Sequence, residues 1–252
     1  MLQMQAGSSP AALRAGLRHQ EPGALSGLER IAGALDDVRT SAKTTALLNL
    51  VGRSPDKKIV FTRFRATLDD LAQALGTAGF GVAVFHGGLT RAAKIAALTS
   101  FRDESEILLS SEIGGEGQNL QHCRTVINFD LPWNPMVIEQ RVGRVHRIGQ
   151  PHDVYVFNFC LAGSIEQRIL QILHDKINLF ELVAGEIEMI LGHVDDEQDF
   201  ASLVMDAWAR SRTPDEEASA FDRLTDAVLA ARGKYRQTCE IDHALFQEDY
   251  EV

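Results

Sequence analysis

The stretch "KKIVFTRFRATLDDLAQALGTAGFGVAVFH", residues 57–86, decides the fold class of this chain of 252 residues. It opens and closes with the short apolar runs KKIVF and GVAVFH, whose length is typical of buried strands. Between these runs, Leu68, Leu71 and Leu75 recur at helical spacing until two glycines interrupt the pattern. The stretch therefore predicts a strand, a helix and a second strand in succession.

The same alternation continues downstream, with Thr90 and Ser164 as predicted helix N-caps. Further strands are predicted at 106–110, 125–129 and 153–159, and further helices at 90–101, 136–147 and 164–183. Strands that are almost continuously apolar are typical of a parallel sheet buried on both faces. We therefore predict an α/β fold with helices on both faces of a parallel sheet, and chemistry in the loops at the carboxyl ends of the strands.

The two flanks differ from this middle part in composition. The first forty residues are rich in Ala, Gly and Leu, and the last part of the chain is helical in pattern and rich in acid. We therefore predict a helical lead-in over 1–40, the α/β domain over 41–185 and an acidic helical extension over 186–252.

Charge is unevenly spread around the formal net charge of -10. Residues 57–150 hold eleven Lys and Arg against nine Asp and Glu, whereas residues 151–252 hold eight against twenty-one. The acidic end of the chain argues against a polyanion being held there. Nucleic-acid contacts in the near-neutral middle must come from a few placed groups.

Three scattered cysteines, Cys123, Cys160 and Cys239, fit a reducing cytosol better than a disulfide framework. No apolar run approaches the roughly 18–20 residues of a membrane span, so no membrane partner is expected. His, Cys and carboxylate residues lack metal-ligand spacing, and no metal site is predicted.

The stretch "EQRVGRVHRIGQ", residues 139–150, concentrates three arginines. On the predicted helix, Gln140, Arg144 and Arg147 fall on one face, and Arg141 lies about 100° away from Gln140. Two aligned guanidiniums suit a multiply charged oxyanion such as a nucleoside triphosphate. The alternative is a solvated helix face paired with acids, but the stretch contains a single acid.

A loop with three glycines, in "LLSSEIGGEGQNL", follows the predicted strand that ends at Ser110. Glycines at such a place let backbone N–H groups approach a phosphate, and the hydroxyl of Ser110 or Ser111 adds a donor. The loop matches neither GxGxxG nor a P-loop, and alone it is weak support for a phosphate site.

Five motifs in order, "TRF", "FHGGLT", "SSEIGGEGQNL", "INFDLPWNP" and "QRVGRVHRIGQ", resemble the second RecA-like lobe of SWI/SNF-type superfamily-two DNA translocases. The resemblance covers roughly residues 41–185, and the segment after the last motif resembles that of bacterial members. It implies a RecA-like sheet, a double-stranded DNA backbone as partner, and a bacterial, cytoplasmic, nucleoid-associated protein. It also implies ATP and Mg²⁺, both bound mainly by a first RecA-like lobe.

The resemblance assigns roles by position. Arg144 and Arg147 match arginine fingers that reach ATP phosphates bound on the first lobe. The residues that match positions beside the nucleotide are Gln140, Gly115, Glu116 and Gly117. The residues that match the DNA-backbone track are Thr62, Arg63, Gly87, Ser111 and Asn119. Three residues depart from the pattern. Lys94 replaces a common arginine, Ser111 replaces a common threonine but keeps the hydroxyl, and Gln118 replaces a usually apolar residue.

A self-sufficient ATPase of this class needs GxxxxGK[ST] and an acidic box for Mg²⁺. The sequence contains no GxxxxGK[ST], and its "DEQD" at 196–199 follows the arginine motif and is interpreted as a solvated face. We therefore expect half of a motor, either a fragment or a separately encoded lobe, that is inactive without the P-loop lobe.

Two functions from different classes stay open at this point. The first is the C-terminal motor lobe of an ATP-dependent double-stranded-DNA translocase. The second is a non-catalytic protein-interaction scaffold that keeps the lobe fold, with a protein partner for the acidic tail. Strand separation is a third reading, without a recognisable separating hairpin. The remodelled substrate and the direction of stepping also stay open.

Overall fold

The computed structural model describes residues 1–19, 28–38, 40–111, 120–146, 150–176, 189–191, 194 and 199–247. The chain forms two compact units, Met1–Leu131 with Gln140–Leu161, and Pro132–Glu139 with Ala162–Val252. The sequence-based division at residues 40 and 185 follows chain order and stays a prediction.

The first unit alternates strands and helices after a helical lead-in. The lead-in helices are α1 (Leu2–Ser8), α2 (Pro10–Arg18), α3 (Leu28–Asp36) and α4 (Ala42–Val51). The alternating elements are β1 (Lys58–Phe61), α5 (Arg65–Thr77), β2 (Val82–Phe85), α6 (Arg91–Asp103), β3 (Ile107–Ser110), β4 (Thr125–Asn128) and β5 (Tyr155–Asn158). The helix α7 (Pro135–Val142) lies between β4 and β5 in the chain.

The five strands form one parallel sheet in the order β2-β3-β1-β4-β5. One face is covered by an apolar cluster that includes Leu47 of α4 and Leu71 of α5, and the other by a cluster that includes Phe101 of α6. Every residue of β1, β3 and β4 is buried, because these strands have neighbours on both sides. The predicted α/β class with helices on both faces is confirmed.

The predicted N-caps are confirmed. The Thr90 hydroxyl accepts a hydrogen bond from the Ala93 amide at 3.2 Å at the start of α6. In the second unit, the Ser164 hydroxyl accepts from the Gln167 amide at 3.3 Å, and the Gln167 side chain accepts from the Gly163 amide at 2.6 Å. These bonds satisfy amides that a helix start leaves without partners.

The predicted helix over 136–147 is shorter in the structure, because α7 ends at Val142. A turn replaces its last part, with the Arg144 amide donating to the Arg141 carbonyl at 3.3 Å and the Val145 amide to the Val142 carbonyl at 2.9 Å. Gly143, a poor helix former, lies at the point where the helix stops. The sequence predicted that Arg144 lies on one helix face with Gln140. In the structure, Arg144 instead follows the end of the helix.

The regular elements described in the second unit are all helices, and the first part of α7 also belongs to this unit. It contains α8 (Ile165–Gln171), continued by a π-helical turn (Ile172–Lys176), then α9 (Phe200–Ala209) and α10 (Pro214–Gln247). Asp199, the last residue of "DEQD", caps α9 by accepting from the Ser202 amide at 2.7 Å. Within the described parts of the chain, no helix is both long and apolar enough to cross a bilayer.

Candidate functional site

The carboxyl ends of four strands lie side by side at one edge of the sheet, because their last residues pair in register. The residues that directly follow these strands are Thr62, His86, Ser111 and Phe129. The Thr62 amide donates to the Ser110 carbonyl at 2.9 Å, and the Ser111 amide to the Phe85 carbonyl at 3.1 Å. The fold thus brings the predicted residues Thr62, Arg63, Gly87 and Ser111 to the same edge.

Thr62 is fully buried, and its hydroxyl donates to Asp130 Oδ2 at 2.6 Å. The Arg63 amide donates to the same oxygen at 2.8 Å. The Arg63 side chain is exposed and makes a long contact of 3.7 Å with the Met4 sulfur of α1. At this position the arginine, rather than the threonine, has a side chain that faces solvent.

Lys43 of α4 brings a buried positive charge to Asp130. Its Nζ lies 4.0 Å from Asp130 Oδ1, and both side chains are about 5% exposed. The same ammonium donates to the Gly7 carbonyl at 2.8 Å and lies 5.1 Å from the centroid of the Phe129 ring. Since Gly7 lies in the last turn of α1, the lysine also meets the negative end of that helix.

Arg141 is the buried arginine of the motif. Its Nη1 donates to Asn128 Oδ1 at 2.8 Å and to the Asp130 carbonyl at 3.2 Å, and its guanidinium lies 5.0 Å from the centroid of the Phe61 ring. Loss of hydration on burial lowers the pKa of Arg141 to about 10, against the charge of Asp130, which raises it. The side chain therefore keeps its charge at neutral pH and anchors the end of α7 to the sheet edge.

Arg144 is partly buried in the turn after α7, and Gln140 is exposed. The Arg144 carbonyl accepts from the Leu120 amide at 3.4 Å. The side-chain Nε2 of Gln150 donates to the Val145 carbonyl at 3.2 Å and to the Gln121 carbonyl at 3.0 Å. The turn that carries Arg144 is therefore held on one side by Arg141 and on the other by Gln150.

Four of these contributors were not predicted from the sequence: Lys43, Asp130, Arg141 as an anchor, and Gln150. A signal was present for Asp130, because it is a polar residue shortly after the apolar strand β4. Predicted site residues that lie outside the described residues are Gly115, Glu116, Gly117, Asn119 and Arg147, together with Gln118. Nothing in the structure tests the predicted roles of these residues.

Gly87 lies in the exposed turn after β2, beside His86. Loss of hydration, followed by the charge of Arg65, lowers the pKa of His86, which favours a neutral imidazole at this edge. The Lys94 ammonium lies 5.9 Å from the centroid of the Phe85 ring. Among the described residues, no group of three His, Cys, Asp or Glu side chains is placed to hold a metal ion.

The family model described as "Helicase conserved C-terminal domain" matches residues 42–149. The chain is 39% identical over 191 residues to the "Uncharacterized ATP-dependent helicase YqhH" of Bacillus subtilis, a match that covers 76% of this chain and 34% of YqhH. It is 38% identical over 140 residues to the "RNA polymerase-associated protein RapA" of Erwinia tasmaniensis, covering 54% of this chain and 14% of RapA.

Among solved structures, the Sulfolobus solfataricus SWI2/SNF2 ATPase core domain resembles the chain with a TM-score of 0.46 and 26% identity, over 60% of this chain and 32% of that one. The chain spans about a third of YqhH and a smaller part of RapA. The family match covers α4 to the arginine motif, and so the site residues from Lys43 to Arg144. Residues 42–149 therefore carry a helicase C-terminal domain, the second lobe of superfamily-two helicases of the SNF2/RapA type.

Proposed function

We propose that this chain is the C-terminal motor lobe of an ATP-dependent double-stranded-DNA translocase. In this proposal Arg144 and Arg147 act on the phosphates of an ATP held, with Mg²⁺, by a first RecA-like lobe. The observation that carries the proposal is the turn at Arg144, which is anchored at the sheet edge by Arg141 and Gln150. A finger needs such support, because a guanidinium that is placed in advance stabilises charge without reorganising during the reaction.

The nucleotide is proposed to bind between two lobes rather than on this lobe alone. The sequence contains no GxxxxGK[ST], so the cradle for the phosphates must come from elsewhere. Gln140, which is exposed at the end of α7, and the loop residues Gly115, Glu116 and Gly117 are proposed to contact the nucleotide from the side of this lobe. ATP-dependence is supported by the similarity to YqhH, which is named an ATP-dependent helicase.

The DNA backbone is proposed to run along the carboxyl edge of the sheet. The exposed Arg63 side chain and the exposed turn at Gly87 lie at this edge together with Ser111, and Asn119 belongs to the same proposed track. Contacts of this kind reach phosphates and therefore position a duplex without reading its sequence. Because the Thr62 hydroxyl is bonded to Asp130, we propose that Thr62 contributes by orienting the Arg63 backbone rather than by touching DNA.

Closure of the two lobes would then link both contacts in one cycle. On closure the arginines meet the γ-phosphate and offset the charge that develops in phosphoryl transfer, a contribution on the order of 10³–10⁵ in rate in well-studied systems. On release of the products the lobes separate, and this lobe takes a new position on the DNA backbone through Arg63 and its neighbours. The chain alone is proposed to be inactive.

The test pairs the chain with a P-loop lobe, either from the same reading frame or from the remaining part of YqhH. We expect DNA-stimulated ATP hydrolysis from the pair and negligible hydrolysis from the chain alone. Arg144→Ala should reduce the hydrolysis rate of the pair on the order of 10³-fold. Arg102→Ala is the control, since Arg102 is exposed and paired with Asp103 in α6. DNA-stimulated hydrolysis by the chain alone that survives Arg144→Ala would disprove the proposal.

A scaffold remains the second candidate, because the second unit is acidic and consists of helices where it is described. This unit holds eight Lys and Arg against twenty-one Asp and Glu. If the scaffold reading is correct, adding the P-loop lobe leaves ATP hydrolysis unchanged with and without DNA. Restored hydrolysis would favour the motor.

A further inference from the structure

Asp130 touches both parts of the site that the proposed function separates into a DNA side and an ATP side. Its carboxylate bonds to the residues after β1, and its main-chain carbonyl bonds to Arg141 at the end of α7. Asp130 is the second residue after β4 and is 4% exposed. One buried residue thus lies at the meeting point of three elements.

On the side of β1, the carboxylate determines the backbone from which Arg63 projects. Asp130 Oδ2 accepts the Thr62 hydroxyl at 2.6 Å and the Arg63 amide at 2.8 Å. Hydrogen bonds to an ionised acceptor are shorter and stronger than bonds between neutral groups. The two bonds therefore restrict the orientation of the Arg63 side chain, which is the exposed group.

On the side of α7, the carbonyl of Asp130 helps to hold the start of the turn that carries Arg144. Arg141 Nη1 donates to this carbonyl at 3.2 Å and to Asn128 Oδ1 at 2.8 Å. The Arg141 carbonyl in turn accepts from the Arg144 amide at 3.3 Å. A chain of direct hydrogen bonds therefore runs from the Arg63 amide through Asp130 and Arg141 to the Arg144 amide.

Burial makes this chain of bonds sensitive to each of its members. The side chains of Asp130, Lys43 and Arg141 are nearly inaccessible to solvent, so water screens their charges poorly. When one donor to the carboxylate is lost, the carboxylate shifts toward the remaining cations, because a buried charge tends to keep its partners. A structural change at the backbone of Arg63 is therefore expected to alter the turn at Arg144, and the reverse.

We propose that Asp130 is a positioning residue that couples the backbone at Arg63 to the turn at Arg144. The use of this coupling rests on the proposed function, in which Arg63 meets DNA and Arg144 meets ATP. The coupling itself is a property of this chain and can be measured without a second lobe.

The test measures amide hydrogen exchange by NMR in the chain and in two conservative variants. Thr62→Val removes the hydroxyl that donates to Asp130 on the β1 side. Arg141→Lys changes the donor to the Asp130 carbonyl on the α7 side, together with the contact to the Phe61 ring. We expect Thr62→Val to change exchange at Val145 and His146, whose amides bond to the Val142 carbonyl at 2.9 and 2.8 Å. We expect Arg141→Lys to change exchange at Arg63. Each exchange rate should change at least about 3-fold relative to the rates of the β1 and β4 ladder amides. These ladder amides serve as the internal reference that corrects for a uniform loss of stability.

Asp130→Asn supplies the decisive background, since it keeps the shape of the side chain and removes its charge. When Asp130→Asn is present, Thr62→Val should no longer change amide exchange at Val145 and His146. The matched control is Asp69→Asn, which removes an exposed carboxylate paired with Arg65 and should change neither side.

The proposal is overturned if Thr62→Val leaves exchange at Val145 and His146 unchanged, or if its effect there persists in Asp130→Asn. Thr62→Val decides the outcome, because Arg141→Lys also changes the contact with Phe61. If Thr62→Val does not fold, Thr62→Ala is measured by the same criterion. A failure of the proposed function appears separately, as absence of DNA-stimulated hydrolysis when the P-loop lobe is added.

Discussion

Lys43 and Arg65 are two cations of the first unit that each face one aspartate, and they differ chiefly in exposure. Arg65 Nε lies 2.8 Å from Asp69 Oδ1 with both side chains more than half exposed, whereas Lys43 Nζ lies 4.0 Å from Asp130 Oδ1 with both about 5% exposed. Solvent screens the closer pair and makes it worth little. The buried pair is costly to break, because removal of one partner leaves the other charge uncompensated.

Lys43→Met is therefore expected to lower the free energy of unfolding by about 2–4 kcal/mol, since it removes the compensating charge at Asp130 and the donor to the Gly7 carbonyl. Arg65→Met, the exposed counterpart, should change the free energy of unfolding by less than about 1 kcal/mol. Urea unfolding followed by circular dichroism measures both. Equal losses in the two variants would contradict the role assigned to burial.

At the scale of elements, the end of α5 shows how two glycines three residues apart have opposite uses. Gly79 has φ of +89°, a conformation that side chains with Cβ rarely adopt. The Phe80 amide donates to the Leu75 carbonyl at 3.1 Å and the Gly79 amide to the Gly76 carbonyl at 3.0 Å, the pair of bonds of a Schellman motif. Gly76 lies within the helix, where an added Cβ would meet no atom within 4 Å.

Gly79→Ala is expected to destabilise the chain by about 1 kcal/mol, because alanine is strained in the left-handed region. Gly76→Ala should instead stabilise it by about 0.5–1 kcal/mol, since alanine favours the helix and finds open space. Thermal unfolding of the two variants side by side tests the assignment. A loss of stability in Gly76→Ala would mean that the helix does not include this residue.

At the scale of the whole molecule, charge is divided between the two units. The first unit holds seventeen Lys and Arg against fourteen Asp and Glu, and the second holds eight against twenty-one. Neither distribution forms the broad basic field that dominates nonspecific DNA binding. In the proposed function, affinity of the chain for a duplex then comes from a few phosphate contacts at the sheet edge.

We expect the chain alone to bind duplex DNA weakly and with a modest dependence on salt. Arg63→Ala should reduce the slope of log affinity against log salt by about 1, because one phosphate contact is lost. The comparison variant is Arg102→Ala, which removes an exposed charge already paired with Asp103 and should leave the slope unchanged. Fluorescence anisotropy over a range of salt concentrations measures the slopes, and identical slopes for the two variants would exclude Arg63 from the track.

Local patterns account for what could be predicted correctly. Apolar runs and glycine stops placed β1, α5 and β2 within a few residues of their observed bounds, because strand length, helical spacing and C-capping depend on neighbours in the chain. The strands are almost continuously apolar, which is typical of strands buried on both faces. This pattern predicted the parallel sheet, because parallel sheets are covered by helices on both faces. The edge strand β5, with Tyr155 and Phe157 partly exposed, shows the limit of that rule.

The end of α7 and the burial of Thr62 were not predictable in this way. Helical spacing continues through Arg147 in the sequence, yet the structure ends the helix at Val142, where Arg141 is bonded to Asn128 and Asp130. The Thr62 hydroxyl likewise bonds to a residue 68 positions away in the chain. Neither helical nor strand periodicity contains information about such partners.

The sequence by itself determined the α/β class, the parallel sheet and, through its motifs, the helicase C-terminal domain that residues 42–149 carry. Only the tertiary structure decided that Arg141 is an anchor rather than a solvent-facing arginine, and that Lys43, Asp130 and Gln150 belong to the site. The physical reason is that these roles depend on which strand ends share an edge and in what register. That arrangement arises when the sheet assembles, and it brings together charges that lie far apart in the chain.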